Sequence, residues 1–264
     1  MKKYARFFYH IAKNVVMKNY RYFRITGNEH GRIIFFDKNR KNFFSVRSRG
    51  FIDSVTANQI YSNNEYNFAF IGRADQIRDR YDAIVAAGRT PIIIDCGANI
   101  GLSAQYFARN FPGAKIIGVE PSLENFQAAQ ANCANFDNIG LYHAAIGSEP
   151  GFVAIEDTAV DANAFQVARV DAGEGIAVKT IPGIFADQDN AELFIVKVDI
   201  EGFERDLFSS NTGWIEACDV LIVELHDWML PGQASSGPFL RAVSAYDRDF
   251  LFKGESVFSI RNGR

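Results

Sequence analysis

Four apolar runs dominate the middle of the sequence: Pro91–Asp95, Lys115–Val119, Leu193–Val198 and Val220–Leu225. Each is five or six residues long, rich in Ile and Val, and nearly continuous, as strands buried on both faces must be. Helical stretches separate them. Leu102–Phe111 is stopped by Pro112-Gly113, Leu123–Phe136 follows the second run, and a helix opens near Gly202. Leu141–Ile146 reads as a further strand. Buried strands alternating with helices predict an α/β fold, a doubly wound and mostly parallel sheet.

The flanks are less regular. Residues 152–182 read as two or three antiparallel strands forming an insertion or an edge. The tail holds a helix over Phe239–Ala245 and strands over Phe250–Phe252 and Val257–Ile260. Ahead of the core, short strands such as Arg32–Phe36 and Asn42–Val46 precede a helical segment, Gln76–Ala87. These elements divide the chain into an N-terminal part, residues 1–88, with a basic helix and accessory strands, and a main domain, residues 89–264.

Charge separates the same two regions. The first 50 residues carry thirteen Lys and Arg against Glu29 and Asp37, a net of +11 that leaves −14 for the rest of a chain whose total is −3. A basic head on an acidic body implies a local surface role for the head and no general nucleic-acid binding. Within it, Tyr4, Phe7, Phe8, Ile11 and Val15 form one stripe of a helix over residues 2–20. Docking of that stripe on the protein's own body is favoured over peripheral contact with an anionic membrane, because Lys18 intrudes on the apolar face. His10 and Lys13 interrupt the stretch and argue against a signal peptide. Cys96, Cys133 and Cys218 have neither disulfide nor zinc spacing, so a reducing, cytoplasmic setting is expected.

The most informative local motif is DCGANIG, Asp95 to Gly101, directly after the first core strand and at the start of a helix. Gly97 and Gly101 let backbone approach a ligand, and the helix start offers free N–H groups. A dinucleotide fingerprint needs a third glycine where Asn99 stands, so a nicotinamide-dependent oxidoreductase is disfavoured. Asp95 would repel a pyrophosphate and attract a ligand bearing an ammonium and a sulfonium. Glu120 ends the second strand about 20 residues on, where an acid can take both ribose hydroxyls. Loop and acid together point to S-adenosyl-L-methionine.

The segments IIIDCGANIGLSAQYFA, IIGVEPSLENF, AAIGSEPG, IVKVDIEGFERDLF and LIVELHDW, in this order across residues 91–228, resemble the FkbM family of methyltransferases. The resemblance implies a Rossmann-like class I methyltransferase with a seven-stranded sheet and an N-terminal accessory layer. It implies O-methyl transfer to a hydroxyl, foremost of a sugar in a polysaccharide, lipopolysaccharide or glycolipid, with a polyketide-type metabolite as the alternative acceptor. By matched position, Asp95, Gly97, Asn99 and Gly101 would hold the methionine end and Glu120 the ribose. Ser122, Asn125, Ala145 and Ile146 would lie near ribose and adenine.

Methyl transfer is an in-line displacement, and an alcohol needs help to lose its proton. The two strands after the donor half end in Asp199, Glu201 and Glu204, and in Glu224, His226 and Asp227. His226 is the preferred general base, from its ordinary pKa of about 6.5, with Glu224 and Glu201 as further catalytic candidates. Asp199 is assigned to the donor's methionine end or to orienting the acceptor. Glu201 and Glu204 also fit as first-turn acids favoured by a helix dipole. A divalent cation between Asp199 and His226 or Asp227 ranks second, since no one segment shows ligand spacing. The turn-rich stretch Trp228–Phe239 fits either an acceptor cover or an ordinary loop, and Arg47 and Arg49 fit either anion contacts or solvated charges. A cofactor-binding or membrane-associated scaffold without catalysis is the alternative from another class.

Overall fold

A computed structural model describes residues 20–27, 30–156, 166–171, 175–229 and 231–263. The expected basic helix over residues 2–20 and its membrane alternative therefore fall outside the described residues. Among those described, no helix is long and apolar enough to cross a membrane. The chain forms two compact units, Met1–Ala74 and Asp75–Arg264, where the sequence reading put the boundary at residue 88.

In the first unit, β1 (Tyr22–Gly27), β2 (Gly31–Asp37) and β3 (Asn42–Ser48) pair as an antiparallel meander. Alternation turns Ile33, Phe35, Phe44 and Val46 to one buried face. They meet Tyr61, from the π-helical turn Asn58–Ser62 that continues α1 (Phe51–Ala57). The Tyr61 ring lies 4.9–5.1 Å from those of Tyr22, Phe35 and Phe44. Asp37 closes the β2–β3 turn by accepting from the N–H groups of Asn39 and Arg40 and from Arg21. β1 and α1 were not read from the sequence. Arg49 is tied to Asp53 at 3.0 Å.

The second unit begins with α2 (Ala74–Ala86). Its main sheet contains β4 (Thr90–Cys96), β5 (Lys115–Glu120), β6 (Ile139–His143), β11 (Ala191–Val198), β12 (Val220–Glu224), β13 (Arg248–Lys253) and β14 (Ser256–Arg261). Their order is β13-β14-β12-β11-β4-β5-β6, with β14 antiparallel to both neighbours and the other pairs parallel. This is the doubly wound seven-stranded sheet expected. Helices α3 (Leu102–Asn110) and α4 (Leu123–Cys133) link β4 to β5 and β5 to β6. From β4 the order runs one way through β5 and β6, then the other way through β11 and β12. That reversal opens a crevice at the carboxyl ends of β4 and β11.

A smaller sheet contains β7 (Ala145–Ile146), β8 (Gly151–Glu156), β9 (Gln166–Val170) and β10 (Ile176–Lys179), ordered β7-β10-β8-β9. The antiparallel insertion is thus a sheet of its own. The sequence reading made Leu141–Ile146 one strand, but the chain changes sheets at Ala144, whose N–H donates to the Glu120 carbonyl at 3.2 Å. Next come α5 (Ile181–Ala186), α6 (Glu204–Leu207), α7 (Trp214–Ala217) and α8 (Gly237–Val243); α5 and α7 were not anticipated. On α6, Asp206 accepts from Ser148 N–H at 2.9 Å and from Arg169 at 2.8 Å, fastening the small sheet there. Phe239 is buried within α8, so the loop after Trp228 is shorter than expected.

Candidate active site

The loop after β4 is shaped by its two glycines, for different reasons. Gly97 has φ +78°, and a Cβ there would overlap the Asp199 carbonyl, so glycine lets the ends of β4 and β11 meet. Gly101 caps α3 at φ +82°, and its missing Cβ leaves room for Cys133 Sγ and the Ala129 backbone of α4. Gly101 therefore serves helix packing and lies off the cleft wall, a correction to its reading as a donor contact. Asn99 takes φ +48°, and its N–H donates to Glu120 Oε2 at 2.8 Å.

Glu120 is only 5% exposed, yet it lines the cleft. Its Oε1 accepts from Ser122 N–H at 3.0 Å, which fixes the carboxylate at the strand end. Burial pushes its pKa up against the opposing pull of these N–H groups. Ser122 caps α4 through its hydroxyl and stands outside the cleft lining, so its contact with Glu120 is its role here. The cleft measures about 590 Å³ with the open solvent at its mouth included. Of the expected residues it brings together Gly97, Asn99, Glu120, Asn125, Ala145, Ile146, Asp199 and Glu201, and it adds Val119, Pro121, Ile200 and Phe203.

Asp95 does not reach the cleft, a second correction. It is fully buried, accepting from the Ser103 hydroxyl and facing Lys197 Nζ at 3.3 Å. Burial raises its pKa, with Lys197 and Ser103 opposing. The Lys197 ammonium also donates to the Gly97 carbonyl at 2.8 Å and pairs with Asp199 at 3.2 Å. Lys197 thus clamps the two strand ends that frame the crevice. Asp95 acts on the cleft through it.

Beside Asp199 lies a dense polar cluster. His226 is 2% exposed, with Nδ1 3.0 Å from Glu204 Oε1. Its Nε2 faces Asp199 Oδ1 at 3.7 Å, Glu201 Oε2 at 3.5 Å and Glu224 Oε1 at 3.7 Å. Burial alone would lower the imidazole pKa, but the Glu204 bond and charge, with Asp199 and Glu201, lift it to about 9. Burial, with the Asp199 charge adding to it, pushes Glu201 up to about 7 and Glu224 up to about 8. The ordinary histidine pKa behind the expected free imidazole base is therefore corrected, because these acids raise it. Asp227 stands apart, accepting from Ser236 N–H at 3.3 Å.

One important residue was missed, and another was left between a site role and a first-turn acid. Lys197 interrupts an apolar strand, and that interruption was its signal. Glu204, read as a first-turn acid, is 1% exposed, accepts from Ile200 N–H at 3.0 Å and orients His226. Glu201 is a non-glycine residue at φ +53°, a strained conformation of the kind that gathers at functional sites.

The sheet order and a cleft at the carboxyl ends of β4, β5 and β11 define a Rossmann-like class I methyltransferase fold. The profile of the methyltransferase FkbM domain matches residues 95–252, and the chain belongs to that family. No curated protein matches it in sequence. Among solved structures it is similar to monomeric WbdD, at 15% identity and TM-score 0.41 over 73% of this chain and 41% of that one. The chain thus spans less than half the length of WbdD. It is also similar to a precorrin-6y C5,15-methyltransferase from Geobacter metallireducens, at 11% identity and TM-score 0.36 over 65% and 79% of the two chains. Magnesium protoporphyrin IX methyltransferase from Synechocystis, solved with bound SAM, has 12% identity and TM-score 0.37 over 73% and 81%.

Proposed function

We propose that the chain transfers a methyl group from S-adenosylmethionine to a hydroxyl oxygen of a sugar, in a polysaccharide, lipopolysaccharide or glycolipid. The observation that carries the donor assignment is Glu120, a nearly buried carboxylate held on the cleft wall by two backbone N–H groups. With the weak Asn125 amide contact at 3.5 Å released, it has lone pairs for the two ribose hydroxyls. Ala145, Ile146 and Val119 offer apolar surface to the adenine, and Asp199 offers a carboxylate to the donor's ammonium. A pyrophosphate suits the cleft less well, since the Asn99 N–H is already given to Glu120.

When bound, S-adenosylmethionine supplies a methyl carbon made electrophilic by its sulfonium. The chain positions the acceptor oxygen in line and removes its proton. Glu201 lines the cleft beside Asp199 and is placed to receive that proton. Support for a sugar acceptor comes from Trp228, 67% exposed with its ring 6.3 Å from that of His226. A flat, exposed indole next to such a site can stack on the apolar face of a sugar ring. The free, buried thiols of Cys96, Cys133 and Cys218 fit a reducing compartment.

Titration calorimetry with S-adenosylmethionine, its demethylated product and NAD tests the donor: the first two should bind, and binding of NAD alone would overturn the reading. Mass spectrometry of surface glycans from cells with and without the protein tests the acceptor. Loss of one methyl group is expected, and an unchanged glycan profile would remove the sugar assignment.

A further inference from the structure

We propose that Asp199, Glu224 and His226 bind a divalent first-row metal cation at the wall of the cleft, and that this ion holds the acceptor hydroxyl. One carboxylate oxygen from each acid and one imidazole nitrogen lie within 4.8 Å of one another, the one such group of His, Cys, Asp and Glu among the described residues. Three features separate this arrangement from a chance gathering of acids.

The first is His226 itself. The residue is 98% buried by its 2% exposure, and one ring nitrogen is already bonded to Glu204. The other, Nε2, points at three carboxylates and forms a hydrogen bond with none of them. A nitrogen of a buried ring facing three carboxylate oxygens at 3.5–3.7 Å, longer than a good hydrogen bond, has the placement of a ligand.

The second is the spacing. Around an ion with bonds of about 2.1 Å, neighbouring donors lie roughly 3.0–3.4 Å apart. Nε2 is 3.7 Å from both Asp199 Oδ1 and Glu224 Oε1, so those two edges need a contraction of a few tenths of an ångström, and the three ligand atoms lie within 4.8 Å of one another. The third is Glu204. Metal-bound histidines characteristically donate the other ring N–H to a carboxylate, which fixes ring and tautomer. Glu204 is such an acceptor, its Oε1 3.0 Å from Nδ1 and itself anchored by Ile200 N–H.

Asp199 has an oxygen for each task, Oδ2 toward Lys197 and Oδ1 toward the cluster. Two carboxylates and one imidazole suit ions such as Mn²⁺ or Zn²⁺ better than an all-oxygen or thiolate site would. Because Asp199 lines the cleft, the ion would meet an acceptor hydroxyl there and weaken its O–H bond. His226 would then be a ligand, and Glu201 would take the proton. This role rests on the methyl-transfer reading; the binding of the ion does not.

The test is titration of the chelator-treated chain with MnCl₂, followed by calorimetry and pulsed electron paramagnetic resonance. One Mn²⁺ per chain is expected, with nitrogen coupling from a coordinated imidazole. Glu224→Gln and Asp199→Asn, both at partly exposed positions, should abolish binding while circular dichroism shows an unchanged fold. Glu204→Gln should weaken binding roughly 10- to 100-fold. No Mn²⁺ uptake, no nitrogen coupling, or undiminished uptake by folded Glu224→Gln would overturn the site. A parallel titration with the demethylated donor in chelator keeps the two readings apart. Donor binding without Mn²⁺ uptake sinks the cation alone, and Mn²⁺ uptake without donor binding upholds it while removing the donor.

Discussion

Glu120 and Glu201 are both carboxylates on one cleft wall, but their surroundings give them different tasks. Glu120 is immobilised by backbone N–H groups, so it can hold a ligand in register. Glu120→Gln removes the charge and leaves an amide that cannot accept at both oxygens. Donor affinity should fall roughly 10- to 100-fold, read by calorimetry with the demethylated donor; unchanged affinity would take Glu120 out of the ribose site. Glu201 lines the same cleft, and under the proposed reaction it would take the acceptor's proton. Glu201→Gln should leave donor affinity intact and lower turnover roughly 10²- to 10⁴-fold. Wild-type turnover in that variant would assign the proton to another group.

At the scale of elements, glycine positions separate ligand contact from packing. Gly101→Ala puts a methyl group against Cys133 Sγ and the Ala129 backbone at a left-handed φ. Stability should fall by about 1–3 kcal/mol, seen as a lower urea midpoint, while the folded protein keeps its donor affinity. Lost affinity at unchanged stability would return Gly101 to the ligand. Register explains much of what the sequence did and did not disclose. Strand ends were readable because apolar runs stop where β4, β5, β11 and β12 stop, and this placed Gly97, Glu120, Asp199 and His226 at one edge. Lys197 was not readable as a clamp, because its partner depends on pairing: β11 sets Lys197 directly against Asp95 of β4. No local pattern encodes that alignment. Likewise, Glu204 looks like any first-turn acid until the fold of residues 200–204 brings it beneath the His226 ring.

For the whole molecule, acid stability follows from which carboxylates are held ionised. Burial would raise Asp37, but the Arg21 pair and the N–H groups of Arg40 and Asn39 more than reverse this. Its folded pKa lies below the unfolded value of about 3.9. The stabilisation is therefore complete well above that value and is lost as pH falls through the folded pKa. Asp206, with Arg169 and Ser148 overcoming its burial, contributes with the same sign. Asp95 and Glu120 are raised, so the cost of keeping them ionised is relieved as acid is added. Asp37→Asn should cost about 2 kcal/mol at neutral pH and less at strongly acid pH, by denaturant unfolding at both. An equal loss at the two pH values would make Asp37 a packing residue only.

The change of sheets at Ala144 has a mechanical consequence. One residue, Ala144, joins a strand locked into the main sheet to a strand that belongs to the small one, and Ala145 and Ile146 form part of the cleft wall immediately beyond it. The small sheet is held there and again at Asp206 of α6, so a load applied to its outer strands would be shared between that clasp and the wall proposed to face the adenine. The small sheet is in effect a beam on two supports, one of them beside the proposed donor.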